Sequence, residues 1–116
     1  MLDNIFKALS EESRLRILSV LQEREMCVCE IEASLKMTQS NASRHLTVLK
    51  SIGILDSYKV GQWAYYKVNE QFKQEHKALW EYLQTQLKLL RTYQEDYREC
   101  EINREKNMCS NDINHE

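Results

Sequence analysis

The sequence predicts a mainly α-helical fold with one small β-hairpin, on three observations. Its 116 residues contain no proline and only two glycines, which favours long helices over a turn-rich sheet. Apolar residues recur at three- and four-residue steps through most of the chain. Between Leu55 and Val68 the pattern changes to β-branched and aromatic residues around Val60-Gly61-Gln62.

Ser10 is the expected N-cap of a first helix running to Arg24, with Glu11 and Glu12 in its first turn and Leu15, Ile17, Leu18, Val20 and Leu21 on its buried face. Ile31 and Leu35 mark a short second helix that starts near Cys27 to Cys29 and ends near Lys36. After a break at Met37-Thr38-Gln39, a third helix buries Ala42, Leu46 and Leu49 and stops at Gly53, a natural C-terminal cap. Leu55 to Lys59 and Trp63 to Val68 read as the two strands of a hairpin, with Tyr66 turned inward because it shares parity with Val68. From Glu70 to about Arg104 a stripe of Phe72, His76, Leu79, Leu83, Leu87, Leu90, Tyr93 and Tyr97 predicts one long helix. Such a helix would project beyond so small a body, so Phe72, Leu79, Leu83, Leu87 and Leu90 are expected to meet a second subunit. Residues 1–107 then form one domain, and 108–116 a disordered tail.

The net charge of −2 conceals segregation. From Lys36 to Asn69 five basic residues (Lys36, Arg44, Lys50, Lys59 and Lys67) face a single acid, Asp56, so the remainder of the chain is acidic. A basic segment with aromatic residues in an acidic protein is a candidate nucleic-acid face, and on charge alone an ordinary solvated surface is an equal alternative. With positions 42, 46 and 49 buried, Gln39, Ser40, Asn41, Ser43, Arg44 and Thr47 point outward. Short hydrogen-bonding side chains let a helix sit deep in a major groove, where amides pair with adenine and arginine with guanine or phosphate. Lys59, Gln62 and Lys67 on the hairpin would reach flanking phosphates or the minor groove.

Cys27 and Cys29 are too close to staple a loop, and neither a signal peptide nor a membrane-length apolar run is present, so free thiols in the cytoplasm are expected. Thiolates are soft ligands suited to arsenic, antimony, cadmium, lead or copper(I). On a regular helix, positions i and i+2 point to nearly opposite sides. Both sulfurs therefore cannot bind one ion while that turn stays helical, and binding is expected to unwind or distort it.

The runs TQSNASRHLTVLKSIGIL and KVGQWAYYKVN resemble the helix-turn-helix and wing of the ArsR/SmtB metalloregulatory repressors, and MCVCEI resembles their metal-box motif. The resemblance covers about residues 5 to 95. It implies a winged helix-turn-helix fold, a homodimer on a palindromic operator in double-stranded DNA, and release of that DNA when a toxic ion binds. Arsenite or antimonite is the first choice of effector, with cadmium or lead as the alternative. It places the DNA-reading residues between Gln39 and Leu49, which brings in His45, and Lys50 follows in the last turn. The implied metal ligands are Cys27 and Cys29. Some arsenic-sensing relatives have a third cysteine where Glu32 stands here, so Cys100 or Cys109, or a cellular thiol, would complete a three-sulfur site. The paired His and acidic residues of zinc-sensing relatives are missing, leaving His76 a packing role, and Cys109, Asp112 and His115 make only a weak alternative cluster.

Other classes find less support. A C-x-C redox enzyme would need a thioredoxin-like βαβ pattern, and no nucleotide loop, paired carboxylates or Ser/His/Asp arrangement stands out, so an enzyme is not expected. A metal-indifferent DNA-binding module, with Cys27 and Cys29 merely packed, stays open.

Overall fold

The structure, a computed structural model, describes residues 2–106. The expected tail, with Cys109, Asp112 and His115, lies outside the described residues. In chain order the elements are α1 (Leu2–Leu9), α2 (Glu12–Leu21), β1 (Met26–Cys27), α3 (Val28–Leu35), α4 (Gln39–Ser51), β2 (Leu55–Val60), β3 (Trp63–Val68), α5 (Glu70–Glu75), α6 (Lys77–Leu87) and α7 (Tyr93–Lys106).

Two boundaries at the start differ from expectation. The Ser10 hydroxyl donates backward to the Lys7 carbonyl (2.7 Å), so it closes α1 instead of capping α2, whose N-cap is the extended residue Glu11. Helix α1, which apolar spacing did not reveal, buries Ile5 and Ala8 but leaves Leu2 and Phe6 exposed.

The middle of the chain follows the pattern read from sequence. Thr38 caps α4, its Oγ1 accepting from the Asn41 N–H at 3.2 Å. Gly53, at φ +86°, ends the helix, with its own N–H on Lys50 O and the Ile54 N–H on Leu49 O, both at 3.0 Å. The hairpin pairs Leu55 with Val68 through to Val60 with Trp63 and turns at Gly61, where φ is +61°. β1 adds a third antiparallel strand, giving the order β1-β3-β2 with Met26 opposite Tyr66 and Cys27 opposite Tyr65. Tyr66 packs against the core as expected, whereas Tyr65 stacks on Tyr58 at 5.6 Å.

The C-terminal third departs most. One long helix is replaced by three, broken at His76 (φ −122°, ψ 49°) and between Leu87 and Tyr93. Phe72, Leu83 and Leu87 are buried within the chain's own core, and Leu79 and Leu90 pack against it, so these five side chains do not require a second subunit for cover. The first break lets the Phe72 ring meet both His76 (5.3 Å) and Trp80 (6.3 Å). Helix α7 folds back onto α2 and α3, burying Asp96, Cys100 and Asn103, a mostly polar stripe at i, i+4 and i+7. Asp96 accepts two bonds from Arg16, Asn103 donates to Ser34 Oγ (3.1 Å), and Arg24 pairs with Glu101 (2.5 Å). The core beneath is apolar: Ile17, Leu18, Met26, Ile31, Leu35, Leu46, Leu49, Ile54 and Leu55 are essentially inaccessible. Each contributes roughly 1.5–3 kcal/mol on burial.

Candidate nucleic-acid interface and thiol pair

Helices α3 and α4 with the turn between them form a helix-turn-helix. The turn is set by Lys36, the only non-glycine residue with positive φ (+57°) among the described residues; its N–H caps Glu32 O. At the α3 C-terminus the Leu35 carbonyl accepts from Arg16 Nη2 at 2.9 Å, which fixes that end of the motif to α2.

On α4, Gln39, Ser40, Asn41, Ser43, Arg44, Thr47 and Lys50 are exposed. His45 is not among them. It is 3% exposed and lies under the helix, between the guanidinium groups of Arg14 and Arg44. Its inclusion with the DNA-facing residues is therefore corrected: the 3.6-residue period that buries Ala42, Leu46 and Leu49 also turns position 45 inward. Burial, then the neighbouring Arg44 and Arg14 charges, hold the His45 imidazolium below the usual histidine range, with Glu11 opposing them.

On the hairpin, Lys59 and Gln62 are exposed near the Gly61 turn. Lys67 stands elsewhere. It is opposite Asp56 near the hairpin base and lines a cleft with Glu23, Glu25, Glu70 and Lys73, away from the tip. The Tyr58 hydroxyl donates to Glu25, tying the outer strand to the segment before β1, and this carboxylate pushes the phenol up to about 12.

The two metal-box cysteines are brought together. Cys27 is the last residue of β1 and the N-cap of α3, with extended backbone (φ −79°, ψ 161°), and only Cys29 lies inside the helix. Their sulfurs are 3.2 Å apart. The expectation that one ion could reach both only by unwinding the helix is thus corrected, because its premise, two helical residues, does not hold. The cap is reciprocal: Cys27 Sγ accepts from the Glu30 N–H, and the Cys27 N–H donates to Glu30 Oε1 at 3.0 Å. Cysteine here takes the place that serine or threonine holds in a capping box, so Glu30 three residues on was the available signal.

Cys100 does not join this pair. Its sulfur lies 4.0 Å from Met26 Sδ, in the core, and burial pushes its thiol up. Met26 and Cys27 are successive residues of a strand and present opposite faces. Among the described residues no three His, Cys, Asp or Glu side chains form a group able to hold a metal ion. His76 takes the expected packing role, against Phe72.

Residues 11–57, which span α2 to the start of β2, match the model of the bacterial regulatory protein, arsR family. Over 58% of its length this chain is 40% identical to the HTH-type transcriptional regulator YbzH of Bacillus subtilis, covering 82% of that protein. The chain belongs to the arsR family. It is 39% identical over 60% of its length to the arsenic resistance transcriptional regulator ArsR1 of Pseudomonas putida, and 44% identical over 53% to the cadmium resistance regulator CadC of Listeria innocua. In these two cases it spans about half the relative's length, 56% and 52%. Among solved structures, the homodimeric winged helix-turn-helix DNA-binding domain Mb0332 of Mycobacterium bovis superposes with a TM-score of 0.62 at 29% identity, over 71% of this chain and 76% of that one. The arsR-family fold is therefore the winged helix-turn-helix described above, and the relatives named are regulators, not enzymes. No helix among the described residues is long and apolar enough to cross a membrane.

Proposed function

We propose that this arsR-family chain is a homodimeric transcriptional repressor that holds operator DNA through α4 and the hairpin, and releases it when arsenite or antimonite binds Cys27 and Cys29. The observation that carries the reading is the 3.2 Å approach of the Cys27 and Cys29 sulfurs at the head of the helix-turn-helix. The donor set suits a soft, thiophilic ion, and negative charge on sulfur is favoured beside the first-turn N–H groups of α3. Trivalent arsenic takes three sulfurs. Since Cys100 faces the core, a third donor comes from a partner subunit, from Cys109 or from a small cellular thiol.

Coupling to DNA needs a difference in ion affinity between the DNA-bound and free states, and about 1–3 kcal/mol changes DNA affinity roughly 5- to 150-fold. Two connections leave the thiol pair: α3 packs on α4, and β1 is hydrogen-bonded to wing strand β3. In the DNA complex Gln39, Ser40, Asn41, Ser43, Arg44 and Thr47 face the bases, while Lys50, Lys59 and Gln62 serve the phosphates; the α4 surface and its basic flank support this division. Two-fold symmetry of the dimer would give a palindromic operator. Exposed Leu2 and Phe6 on α1, with Tyr82 and Leu89, supply apolar surface for the second subunit.

The test is fluorescence anisotropy on a DNA sequence selected by the protein from a random library, titrated with arsenite, antimonite, cadmium, lead and zinc. Arsenite and antimonite should release the DNA, and the Cys27→Ser, Cys29→Ser double variant should bind it but not let go. Release of that variant at wild-type arsenite concentrations places the sensor elsewhere. The likeness to a cadmium regulator favours a second reading, with cadmium or lead on the same sulfurs; release by these ions and not by arsenite selects it.

A further inference from the structure

The buried histidine beneath α4 has an arrangement of donors that its packing does not require. Arg14 is pinned: Nε donates to Ala8 O at 2.9 Å and Nη2 to Glu11 Oε2 at 2.8 Å, which leaves Nη1 3.5 Å from His45 Nδ1. Glu11 Oε1 stands 4.0 Å from the same ring nitrogen. On the other side, Arg44 Nη2 is 3.4 Å from His45 Nε2. Arg14 (α2), Glu11 (its N-cap) and Arg44 (α4) are the charged groups facing the ring among the described residues.

A guanidinium only donates, so it can bond a ring nitrogen only where that nitrogen carries a lone pair. Neutral histidine has one such nitrogen. If it is Nδ1, the Nε2 proton faces the Arg44 donor and the two repel. If it is Nε2, Arg44 is held, and the proton on Nδ1 faces both Arg14 Nη1 at 3.5 Å, which loses its acceptor, and the carboxylate oxygen Glu11 Oε1 at 4.0 Å; only this side of the ring has such an oxygen to receive the proton. Doubly protonated, the ring offers Arg44 nothing but a like charge.

We propose that His45 is a positioning residue for Arg44: the neutral ring, protonated on Nδ1 toward Glu11, accepts from Arg44 at Nε2 and aims its guanidinium for base reading, and protonation of the ring releases that arm. The proposal rests on the reading of α4 as the DNA-contacting helix. It makes sequence discrimination proton-dependent in a direction opposite to plain electrostatics. Acid adds a positive charge beneath the interface, which strengthens attraction to any phosphate backbone, yet it removes the constraint on the side chain that distinguishes one sequence from another. Burial and the two arginines hold the transition on the acidic side of ordinary histidine.

The experiment compares binding of the library-selected sequence and a scrambled one by anisotropy from pH 8.0 to 5.5 at constant salt. The selected-to-scrambled affinity ratio should fall on acidification, by at most about tenfold at pH 5.5 for a ring that titrates below about 6.5, while scrambled DNA binds no more weakly. His45→Gln, whose amide oxygen can accept from Arg44, should rescue discrimination and make it insensitive to pH over this range; His45→Leu should lose it at every pH. In the DNA-free protein, imidazole nitrogen chemical shifts should show the Nδ1–H tautomer at pH 8.0. A pH-independent ratio in the wild type, an equal fall in His45→Gln, or the Nε2–H tautomer overturns the positioning role. Failure to enrich any sequence at pH 8.0 instead overturns the DNA reading beneath it.

Discussion

Arg16 and Asp96, 80 residues apart in sequence, meet through two hydrogen bonds of 2.9 Å, from Nε and Nη2 of the guanidinium to the two carboxylate oxygens. The same Nη2 also reaches Leu35 O, so one side chain joins α2, the end of α3 and α7. Asp96 is 2% exposed and Arg16 21%, and this bond is the main reason the Arg16 guanidinium is held still more firmly protonated than usual. Asp96→Ala leaves a largely buried cation without its partner and should cost about 2–4 kcal/mol, discounted for the exposed part of Arg16. Urea unfolding measures the loss, and hydrogen exchange should show α7 opening ahead of α4. A variant within about 0.5 kcal/mol of wild type would show that α7 is held by its other contacts.

The two sulfur environments separate metal binding from packing. Cys27→Ser and Cys29→Ser should each abolish arsenite binding followed by calorimetry. Cys100→Ala should bind with unchanged stoichiometry while losing about 1–2 kcal/mol of stability from its cavity against Met26. Loss of arsenite binding in Cys100→Ala would put its sulfur in the site.

Gly61 turns the hairpin at φ +61°, and a side chain there would meet nothing within 4 Å. The cost of Gly61→Ala is therefore conformational, about 1–2 kcal/mol, and Gly61→Asn should cost less because asparagine tolerates the left-handed region. Thermal unfolding should shift by several degrees for alanine. Equal midpoints for the two variants would contradict this account.

Stability should also depend on His45. Its folded-state pKa is lowered, so between that value and the unfolded one, about 6.5, the unfolded chain binds more protons. The stabilisation is complete above about 6.5 and declines as pH falls through the folded value. Urea midpoints at pH 7.5, 6.5 and 5.5 should drop for the wild type, and less steeply for His45→Gln. Parallel curves would exclude this residue as the source.

Apolar spacing made α2, α4 and the hairpin legible because those elements are buried through leucine, isoleucine and valine. It failed for α7, whose inner face is Asp96, Cys100 and Asn103. A hydrophobic pattern followed Tyr93 and Tyr97 instead, and Tyr97 is still 38% exposed. β1 has two residues, too few for any period to register. The placement of Cys27 outside α3 was encoded in the Cys27-to-Glu30 spacing but masked by the assumption that both cysteines were helical. Nothing local marks the break at His76, since the segment holds neither glycine nor proline; the Phe72 and Trp80 rings meet across it. For the site, the exposed face of α4 was read correctly except at His45, whose partners Arg14 and Glu11 come from another helix and its cap.

The Arg16 to Asp96 pairing also bears on the order of events during synthesis. The residues of α2, α3, α4 and the hairpin are all joined before Asp96 is, and contacts across such a separation form late because the intervening loop must first be closed. Until then Arg16 lacks the Asp96 carboxylate, and the face of α3 that α7 covers is open to solvent.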